Sequence, residues 1–234
     1  MPAVFHFRRL RRRVTVSLAS IVLAFAGLVA FSGTSHATTQ EPCDIYAAGG
    51  TPCVAAHSTT RALFAAYAGP LYQVQRASDS ASQNIGVLSA GGVADAAAQD
   101  AFCAGTTCTI TRVYDQTGAG NTLVYQGPGG TGGADTAAIA TTEAVSVGGQ
   151  KAYALYIKPG NSYFAYNSTG GVPTGSSPEG EYMITSGTHV NNGCCFDYGN
   201  TETDHHADGN GAMDAVNFST ECWFGGCSGT GPWV

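Results

Sequence analysis

The chain has 234 residues, of which 11% are charged, 10% are aromatic and 32 are glycine. All sixteen acidic residues follow residue 40, whereas five of the ten basic residues lie within the first 13, so the remainder carries 5 − 16 = −11. An acidic surface of this kind repels phosphate backbones, which excludes nucleic acid as a partner. A chain of this length is sufficient for one well-buried domain.

The first 37 residues have the three parts of a secretory signal peptide. Five arginines lie within the first 13 residues, an apolar run follows to about Phe31, and the small-x-small sequence "SHA" ends at Ala37. The alternative is a membrane anchor, because the apolar run is long enough to span a bilayer. Small residues dilute the run and a cleavage signal follows it, so we interpret 1–37 as a removable signal peptide. We therefore expect a secreted, extracellular domain at 38–234, without membrane attachment after cleavage.

Eight cysteines follow the predicted signal, an even number that indicates a disulfide framework in an exported chain. Short loop spacings predict three local pairs, namely Cys43–Cys53, Cys103–Cys108 and Cys222–Cys227. Cys194 and Cys195 then either bond each other or stay free. A bond between neighbours is strained, because Cα atoms about 3.8 Å apart fall short of the roughly 4.4–6.8 Å of a relaxed disulfide. Zinc binding by C-x₄-C thiolates is the alternative, but export into an oxidising compartment argues against it, so we predict no metal.

Two short helices are predicted near the N-terminus of this domain. Apolar residues recur at three- to four-residue spacing over 58–67, which predicts a helix that the Gly69-Pro70 pair ends. A strand is predicted over 71–76. The alanine-rich stretch "GGVADAAAQDAFC" predicts the second helix, which stops near Cys103.

Strand patterns dominate the rest of the chain. "CTITRVYDQ" alternates in the manner of a half-buried strand, and "AVSVGG" followed by "KAYALYI" predicts a hairpin around Gly148-Gly149. Further strands are predicted in "NTLVY", "EGEYMITSGTHV", "CCFDYGN" and "AMDAVNFS". The glycine-rich "GPGGTGGADTAAIATT" is predicted to be a surface loop. Short strands separated by turn residues are typical of an all-β sandwich or barrel.

Few side chains indicate chemistry by themselves. Glu179 and Glu181 flank a glycine at a predicted strand start, and glycosidases need two carboxyl groups, but acids at such positions are more often simply solvated. Asp197 follows the cysteine pair by two residues and is a better candidate for a polar role in a site. Trp223, inside the Cys222–Cys227 loop, either offers a flat face to a sugar ring or packs in the core. We interpret "DHHADGNG" as a solvated loop, because adjacent histidines in extended chain point to opposite sides.

Five long stretches of the chain are unusual in combination. They are "PCDIYAAGGTPCVAAHSTTRALFAAYAGPLYQVQR", "GGVADAAAQDAFCAGTTCTITRVYDQTGAGN", "GGQKAYALYIKPG", "EGEYMITSGTHVNNGCCFDYGNTET" and "GTGPWV". Together they resemble the catalytic domain of the arabinofuranosidase B family of α-L-arabinofuranosidases, over about 41–234. The resemblance implies a lectin-like jelly-roll β-sandwich with short helices near its N-terminus, followed in many members by an arabinose-binding β-trefoil domain.

The same resemblance implies a function. Family members are retaining glycosidases, active without a cofactor, that remove terminal α-L-arabinofuranosyl groups from arabinoxylan and arabinan. The implied partner is therefore an arabinose-containing plant polysaccharide, and the complete protein is expected to be a monomer. In the family, adjacent cysteines form a vicinal disulfide that lies against the bound arabinose, and Cys194 and Cys195 match them. Trp223 matches a tryptophan that lines the sugar site, and with Asp197 these residues are the expected substrate contacts.

The family pattern also raises a doubt about the catalytic groups. Its nucleophilic glutamate comes just after the Gly-Pro-Trp stretch, and its acid/base aspartate comes much later. We therefore expect both groups to lie beyond Val234, so that the domain is incomplete and has no catalytic residue of its own. Glu221, which precedes the Gly-Pro-Trp stretch, is not expected to be the nucleophile. The alternatives are a non-catalytic arabinose-binding module or a structural domain without a ligand.

The Cys43–Cys53 and Cys103–Cys108 pairs match family disulfides.

Overall fold

The computed structural model describes residues 39–125, 135–165, 170–173, 177–186, 189, 192, 197–200, 215–222 and 225–229. The predicted signal peptide thus lies outside the described residues. Within these ranges the elements are α1 (Pro42–Ala48), β1 (Pro70–Arg76), β2 (Ser82–Gly86), α2 (Ala96–Phe102), β3 (Cys108–Val113), β4 (Leu123–Tyr125), β5 (Glu143–Val147), β6 (Gln150–Ala154), β7 (Tyr163–Phe164), β8 (Asp197–Gly199) and β9 (Ala215–Asn217). The described chain is therefore mostly sheet, with two short helices.

Five strands form one antiparallel sheet with the order β2–β1–β3–β4–β7. Strand β1 pairs on both sides, so that Val74 lies opposite Gln83 in β2 and opposite Ile110 in β3. The strands predicted over 71–76 and from Cys108 are confirmed. The pairs β5–β6 and β8–β9 form two further two-stranded antiparallel sheets.

The hairpin predicted around Gly148-Gly149 is confirmed. Strands β5 and β6 pair from Glu143–Ala154 to Val147–Gln150, which leaves the two glycines as the turn. Their φ angles are +57° and +81°. Both lie in the left-handed region that a two-residue hairpin turn requires and that glycine adopts without steric cost.

The main core lies between the five-stranded sheet and α2. Its fully or almost fully buried sheet side chains are Leu71, Tyr72, Val74, Ile85, Ile110 and Val113. Gln99 of α2 is also fully buried. Its Oε1 accepts a hydrogen bond from the Tyr72 hydroxyl at 2.6 Å, and its Nε2 donates to the Ala140 carbonyl at 2.9 Å. Because both ends of the amide are satisfied, Gln99 joins α2 to the sheet without leaving a buried polar group unpaired.

The three disulfides predicted from loop spacing are confirmed. They are Cys43–Cys53, Cys103–Cys108 and Cys222–Cys227, with Cα–Cα distances of 5.6, 5.8 and 6.0 Å. The second joins the end of α2 to the start of β3. Since all six sulfur atoms form covalent bonds, these loops do not supply zinc thiolates. Cys194 and Cys195 lie outside the described residues, so their pairing stays a prediction.

The helix predicted over 58–67 is wrong. The segment is irregular, and several of its backbone groups bond to distant parts of the chain instead of forming helical bonds. The Ala62 N–H donates to the Gly92 carbonyl at 2.9 Å, and Arg61 forms an isolated β-bridge with Val93. Helical spacing of the apolar side chains was a weak local signal, and long-range pairing overrode it.

A helix that the sequence analysis missed begins at Pro42. Proline is favoured at the first helical position, because no intrahelical bond needs its missing N–H. The Asp44 carboxylate accepts a hydrogen bond from the Glu41 N–H at 3.0 Å, which fixes the start of α1. The predicted second helix is confirmed as α2, and each helix has seven residues. In the described part of the chain, no helix is long and apolar enough to cross a membrane.

Two other predictions need correction. The second half of the predicted surface loop enters the core, where Ala138 and Ala140 are fully buried. The Ile110 N–H donates to the Ala138 carbonyl at 2.8 Å, so this segment lies along β3. The described residues 179–186, predicted as a strand, form none, and the ring of Tyr182 stacks on a tyrosine of α1.

Replacing Gln99 with methionine should lower the free energy of unfolding by about 2–4 kcal/mol, because the Tyr72 hydroxyl and the Ala140 carbonyl both lose their buried partner. Denaturant unfolding measures the change. The matched control is Gln150→Met, an exposed glutamine in β6, which should change the free energy by less than about 0.5 kcal/mol. Adding Tyr72→Phe to Gln99→Met should recover part of the lost free energy of unfolding. Equal losses in Gln99→Met and Gln150→Met would contradict the role of Gln99 in joining α2 to the sheet.

Candidate functional site

In the sequence, the expected substrate contacts precede or begin β8, or lie in the loop closed by the Cys222–Cys227 disulfide. Cys194, Cys195 and Trp223 lie outside the described residues. Asp197 is the first residue of β8, where its backbone pairs with Asn217 of β9, but its side chain also lies outside the described part. The described structure therefore defines this region through the contacts that hold β8.

The end of the chain, where the family pattern approaches its nucleophile, is not part of the described structure. The Gly-Pro-Trp stretch and Val234 both lie outside the described residues. The expectation that the nucleophile and the acid/base lie beyond Val234 therefore stays a prediction.

A partly buried histidine that the sequence analysis did not single out holds β8. The hydroxyl of Tyr198, the middle residue of β8, lies 2.8 Å from His57 Nδ1. His57 Nε2 lies 2.7 Å from the carbonyl oxygen of Asn121. Since a carbonyl only accepts, Nε2 carries the proton, and the Tyr198 hydroxyl donates to Nδ1. One neutral tautomer of His57 thus joins β8 to the loop that contains Asn121.

Asp115 organises that loop. Its Oδ1 accepts hydrogen bonds from the N–H groups of Ala56 and Thr117 at 3.1 and 3.0 Å. Its Oδ2 accepts from the Thr117 hydroxyl at 2.7 Å and the Asn121 N–H at 3.1 Å. Partial burial acts to raise the pKa of Asp115, but the hydrogen bonds outweigh it and hold the pKa below its usual value. The charged carboxylate therefore fixes both the residue before His57 and the residue whose carbonyl His57 binds.

The side chain of Asn121 extends this network. It is 1% exposed, and its Nδ2 donates to the carbonyls of Val54 and Gly170 at 2.7 and 3.3 Å. A Cβ on Gly170 would lie 2.5 Å from the same nitrogen. Glycine is therefore required at position 170 by the close approach of Asn121.

Burial sets the protonation states of the pair that holds β8. Burial lowers the pKa of His57, although its bond to the Asn121 carbonyl and the charge of Asp115 act in the opposite direction. Burial also raises the pKa of Tyr198, and Tyr182, Asp115 and Glu181 add to the increase. Both groups are thus neutral near pH 7, as the hydrogen bonds require. Because both ring nitrogens of His57 are bonded, its role here is to position β8.

Carboxylates elsewhere in the described structure also have partners. Asn200 Nδ2, just after β8, donates to Glu179 Oε1 at 3.0 Å. Asp100 accepts from Lys151 Nζ at 2.7 Å and from the Tyr153 hydroxyl at 2.6 Å. The Lys151 hydrogen bond, followed by that of Tyr153, lowers the pKa of Asp100. These carboxylates therefore tie segments of the fold together.

Within the described ranges, no three His, Cys, Asp or Glu side chains come together in a group that could hold a metal ion. The stretch "DHHADGNG" lies outside these ranges, so its interpretation as a solvated loop stays a prediction.

Part of this network had a local signal in the sequence. "DQTGAGN" begins with Asp115 and Thr117, a pairing that commonly bonds its own turn, but nothing local indicates that the same carboxylate also binds the Ala56 N–H. His57 had no such signal, because its partners Asn121 and Tyr198 are 64 and 141 residues away.

Replacing His57 with glutamine should remove part of the loss of stability in mild acid. The pKa of His57 lies below 6.5 in the folded state and returns close to that value on unfolding. As the pH falls through 6.5 towards the folded pKa, the unfolded chain binds a proton that the folded protein does not bind. The free energy of unfolding therefore decreases over this window and is unaffected above it.

Denaturant unfolding at a series of pH values from about 7.5 to 5 measures this contribution. The matched control is His189→Gln, because His189 is 44% exposed and pairs with Glu143. The His189→Gln variant should still show the decrease in the free energy of unfolding at low pH that His57→Gln removes. The same pH slope in His57→Gln and the unsubstituted protein would show that His57 does not stay neutral.

Comparison with known proteins extends this picture. The family model described as "Alpha-L-arabinofuranosidase B, catalytic" matches residues 42–234. The chain is 56% identical over 207 residues to the "Probable alpha-L-arabinofuranosidase B" of Aspergillus terreus, which covers 86% of this chain and 41% of that protein. It is 51% identical over 223 residues to alpha-L-arabinofuranosidase B of Emericella nidulans, with coverage of 93% and 42%. The chain thus spans about two fifths of the length of these curated relatives.

Two solved structures share the fold. One is a GH54 α-L-arabinofuranosidase soaked with a cyclic sulfate inhibitor, and the other is an arabinofuranosidase complexed with arabinofuranosyl-α-1,2-xylobiose. Each is 50% identical to this chain at a TM-score of 0.78, and each match covers 83% of this chain and 41% of the solved one. By sequence and by fold, the chain belongs to the alpha-L-arabinofuranosidase B catalytic-domain family.

Proposed function

We propose that this chain is part of a secreted α-L-arabinofuranosidase that releases terminal α-L-arabinofuranosyl groups from arabinoxylan and arabinan. The observation that carries the proposal is the identity of 50% or more to arabinofuranosidases, combined with the shared fold. A solved relative is complexed with an arabinofuranosyl group linked to xylobiose. That ligand supports arabinose side chains on a xylose backbone as the substrate of this protein.

The proposed reaction is a double displacement with retention. One carboxylate attacks the anomeric carbon and forms a covalent glycosyl–enzyme, while a second carboxyl group protonates the leaving oxygen and then activates water. The two groups lie about 5–5.5 Å apart in retaining enzymes, and they need no metal or organic cofactor. We place both beyond Val234, so the 234-residue chain alone is expected to be inactive.

The proposed arabinose contacts are the disulfide ring of Cys194 and Cys195, the indole of Trp223, and Asp197. A vicinal disulfide ring is rigid and apolar, and it gives a furanose a flat, dry surface. The hydrogen bond between Tyr198 and His57 supports this role, because it fixes the chain three residues after Cys195.

The finer architecture is part of the proposal. Residues 1–37 serve as the signal peptide, and 38–234 contribute to a lectin-like jelly-roll β-sandwich that acts as a monomer. The five-stranded antiparallel sheet, with a polar face and a core face, is suitable as one layer of such a sandwich.

The direct test is arabinose release from arabinoxylan by the complete protein. We expect release, and the first-formed sugar should have the α configuration by NMR, because retention preserves it. A folded complete protein that binds arabinose without releasing it would replace the enzyme with the alternative, a non-catalytic arabinose-binding module. Release with the β configuration first would contradict the retaining mechanism.

In the complete protein, replacing Trp223 with alanine should lower kcat/KM on an aryl α-L-arabinofuranoside by about tenfold or more, the effect of losing roughly 1.4 kcal/mol of contact with the sugar. Trp223→Phe keeps a flat ring and should retain more activity than the alanine variant. The melting temperature of each variant serves as the control for folding. An unchanged kcat/KM in Trp223→Ala would remove this residue from the site.

A further inference from the structure

A stacked pair of tyrosines lies at the surface of the described structure. The rings of Tyr46 in α1 and Tyr182 have centroids 5.6 Å apart and planes inclined by 25°. Tyr46 remains 41% exposed, and its neighbour Ile45 is 57% exposed. The Tyr46 ring is thus exposed to solvent, and the Tyr182 ring packs against it.

The backbone under Tyr46 is rigid without help from the tyrosine ring. Cys43 is fully buried in its disulfide with Cys53. Asp44 accepts a hydrogen bond from the Ala65 N–H at 2.7 Å, and Arg61 pairs with Glu41. These contacts attach α1 to the domain through its buried side. The exposed Tyr46 ring is therefore not needed to anchor the helix.

The stack is continuous with the candidate site. The segment 177–186, which contains Tyr182, contacts the chain directly after β8, and in addition to burial the charges of Tyr182 and Glu181 act to raise the pKa of Tyr198 in β8. Glu179 accepts a hydrogen bond from Asn200, which follows β8 directly. The Tyr46–Tyr182 stack, the Glu179 carboxylate and the Asn200 amide thus form one connected group of residues at the end of β8.

This grouping is suited to a sugar ring of the pyranose type. The flat C–H faces of a pyranose pack against an aromatic ring, whose body is apolar and whose hydroxyl remains wet. The equatorial hydroxyls then reach amide and carboxylate partners at the edge of the ring. The arabinose has its own proposed contacts, namely Cys194, Cys195, Trp223 and Asp197. This grouping therefore suits a backbone unit of the polysaccharide.

We propose that the Tyr46–Tyr182 stack is a binding platform for a pyranose unit of the polysaccharide backbone, next to the site that holds the arabinose. The inference rests on the proposed function and deepens it. Such a platform makes the complete protein prefer arabinose on a xylose backbone over arabinose on a small leaving group. The second ring, Tyr182, keeps the first from turning away from the substrate.

The test uses the complete protein and two substrates, arabinoxylan and an aryl α-L-arabinofuranoside. Tyr46→Ala should lower the ratio of kcat/KM on arabinoxylan to kcat/KM on the aryl substrate by about three- to tenfold, the range expected for one aromatic contact. Tyr46→Phe keeps the ring and should restore most of the ratio. The matched control is Tyr125→Ala, because Tyr125 is 40% exposed but lies in β4 of the main sheet. The control should keep the ratio of the unsubstituted protein.

Each outcome separates this inference from the proposed function. If neither substrate is hydrolysed, the proposed function fails. If both are hydrolysed and the ratio in Tyr46→Ala equals that of the control, the platform is overturned. Equal losses on both substrates would also overturn it, because they would show a structural role for Tyr46. Weaker binding of arabinose-free xylo-oligosaccharides by Tyr46→Ala than by Tyr125→Ala would support it without reference to turnover.

Discussion

The carboxylate of Asp115 is the constraint on which the candidate site depends. It accepts four hydrogen bonds from three residues, Ala56, Thr117 and Asn121, and thereby joins the segment before His57 to the loop after β3. The loop then presents the Asn121 carbonyl, which selects one tautomer of His57, and that tautomer leaves Nδ1 free to accept from Tyr198. The partly buried and hydrogen-bonded charge of Asp115 thus determines the position of β8 through the two hydrogen bonds of His57.

The rest of the described fold supports this network by covalent bonds and buried polar contacts. The Cys43–Cys53 disulfide fixes the chain a few residues before His57, and Gln99 fixes α2 on the main sheet. Residues that contact a substrate need to be held rigidly in this way, because a displacement of about 1 Å lowers the reaction rate strongly. A rigid N-terminal part of the domain is therefore consistent with a site whose reacting groups come from elsewhere in the protein.

The sequence could predict features that depend on neighbours along the chain. The Gly148-Gly149 hairpin, the alanine-rich α2 and the three disulfide loops are of this kind, and all are confirmed. The helix expected over 58–67 failed because backbone bonds to Gly92 and its neighbours replaced the local ones. His57 was missed for the same reason, since its partners are far away in the sequence. The resemblance to a family supplied roles for residues that no local pattern could have given.

Amide hydrogen exchange in Asp115→Asn and in the unsubstituted complete protein tests the central claim most directly. The asparagine amide cannot accept the hydrogen bonds that one carboxylate oxygen accepts, so the Asn121 N–H should exchange faster, and so should the amides of β8. The matched control is Asp100→Asn, which loses a surface pair with Lys151 and should leave β8 unchanged. Faster exchange in β8 only in Asp115→Asn is the result we predict. Unchanged exchange in β8 would contradict the account, because it would show that β8 is held without Asp115.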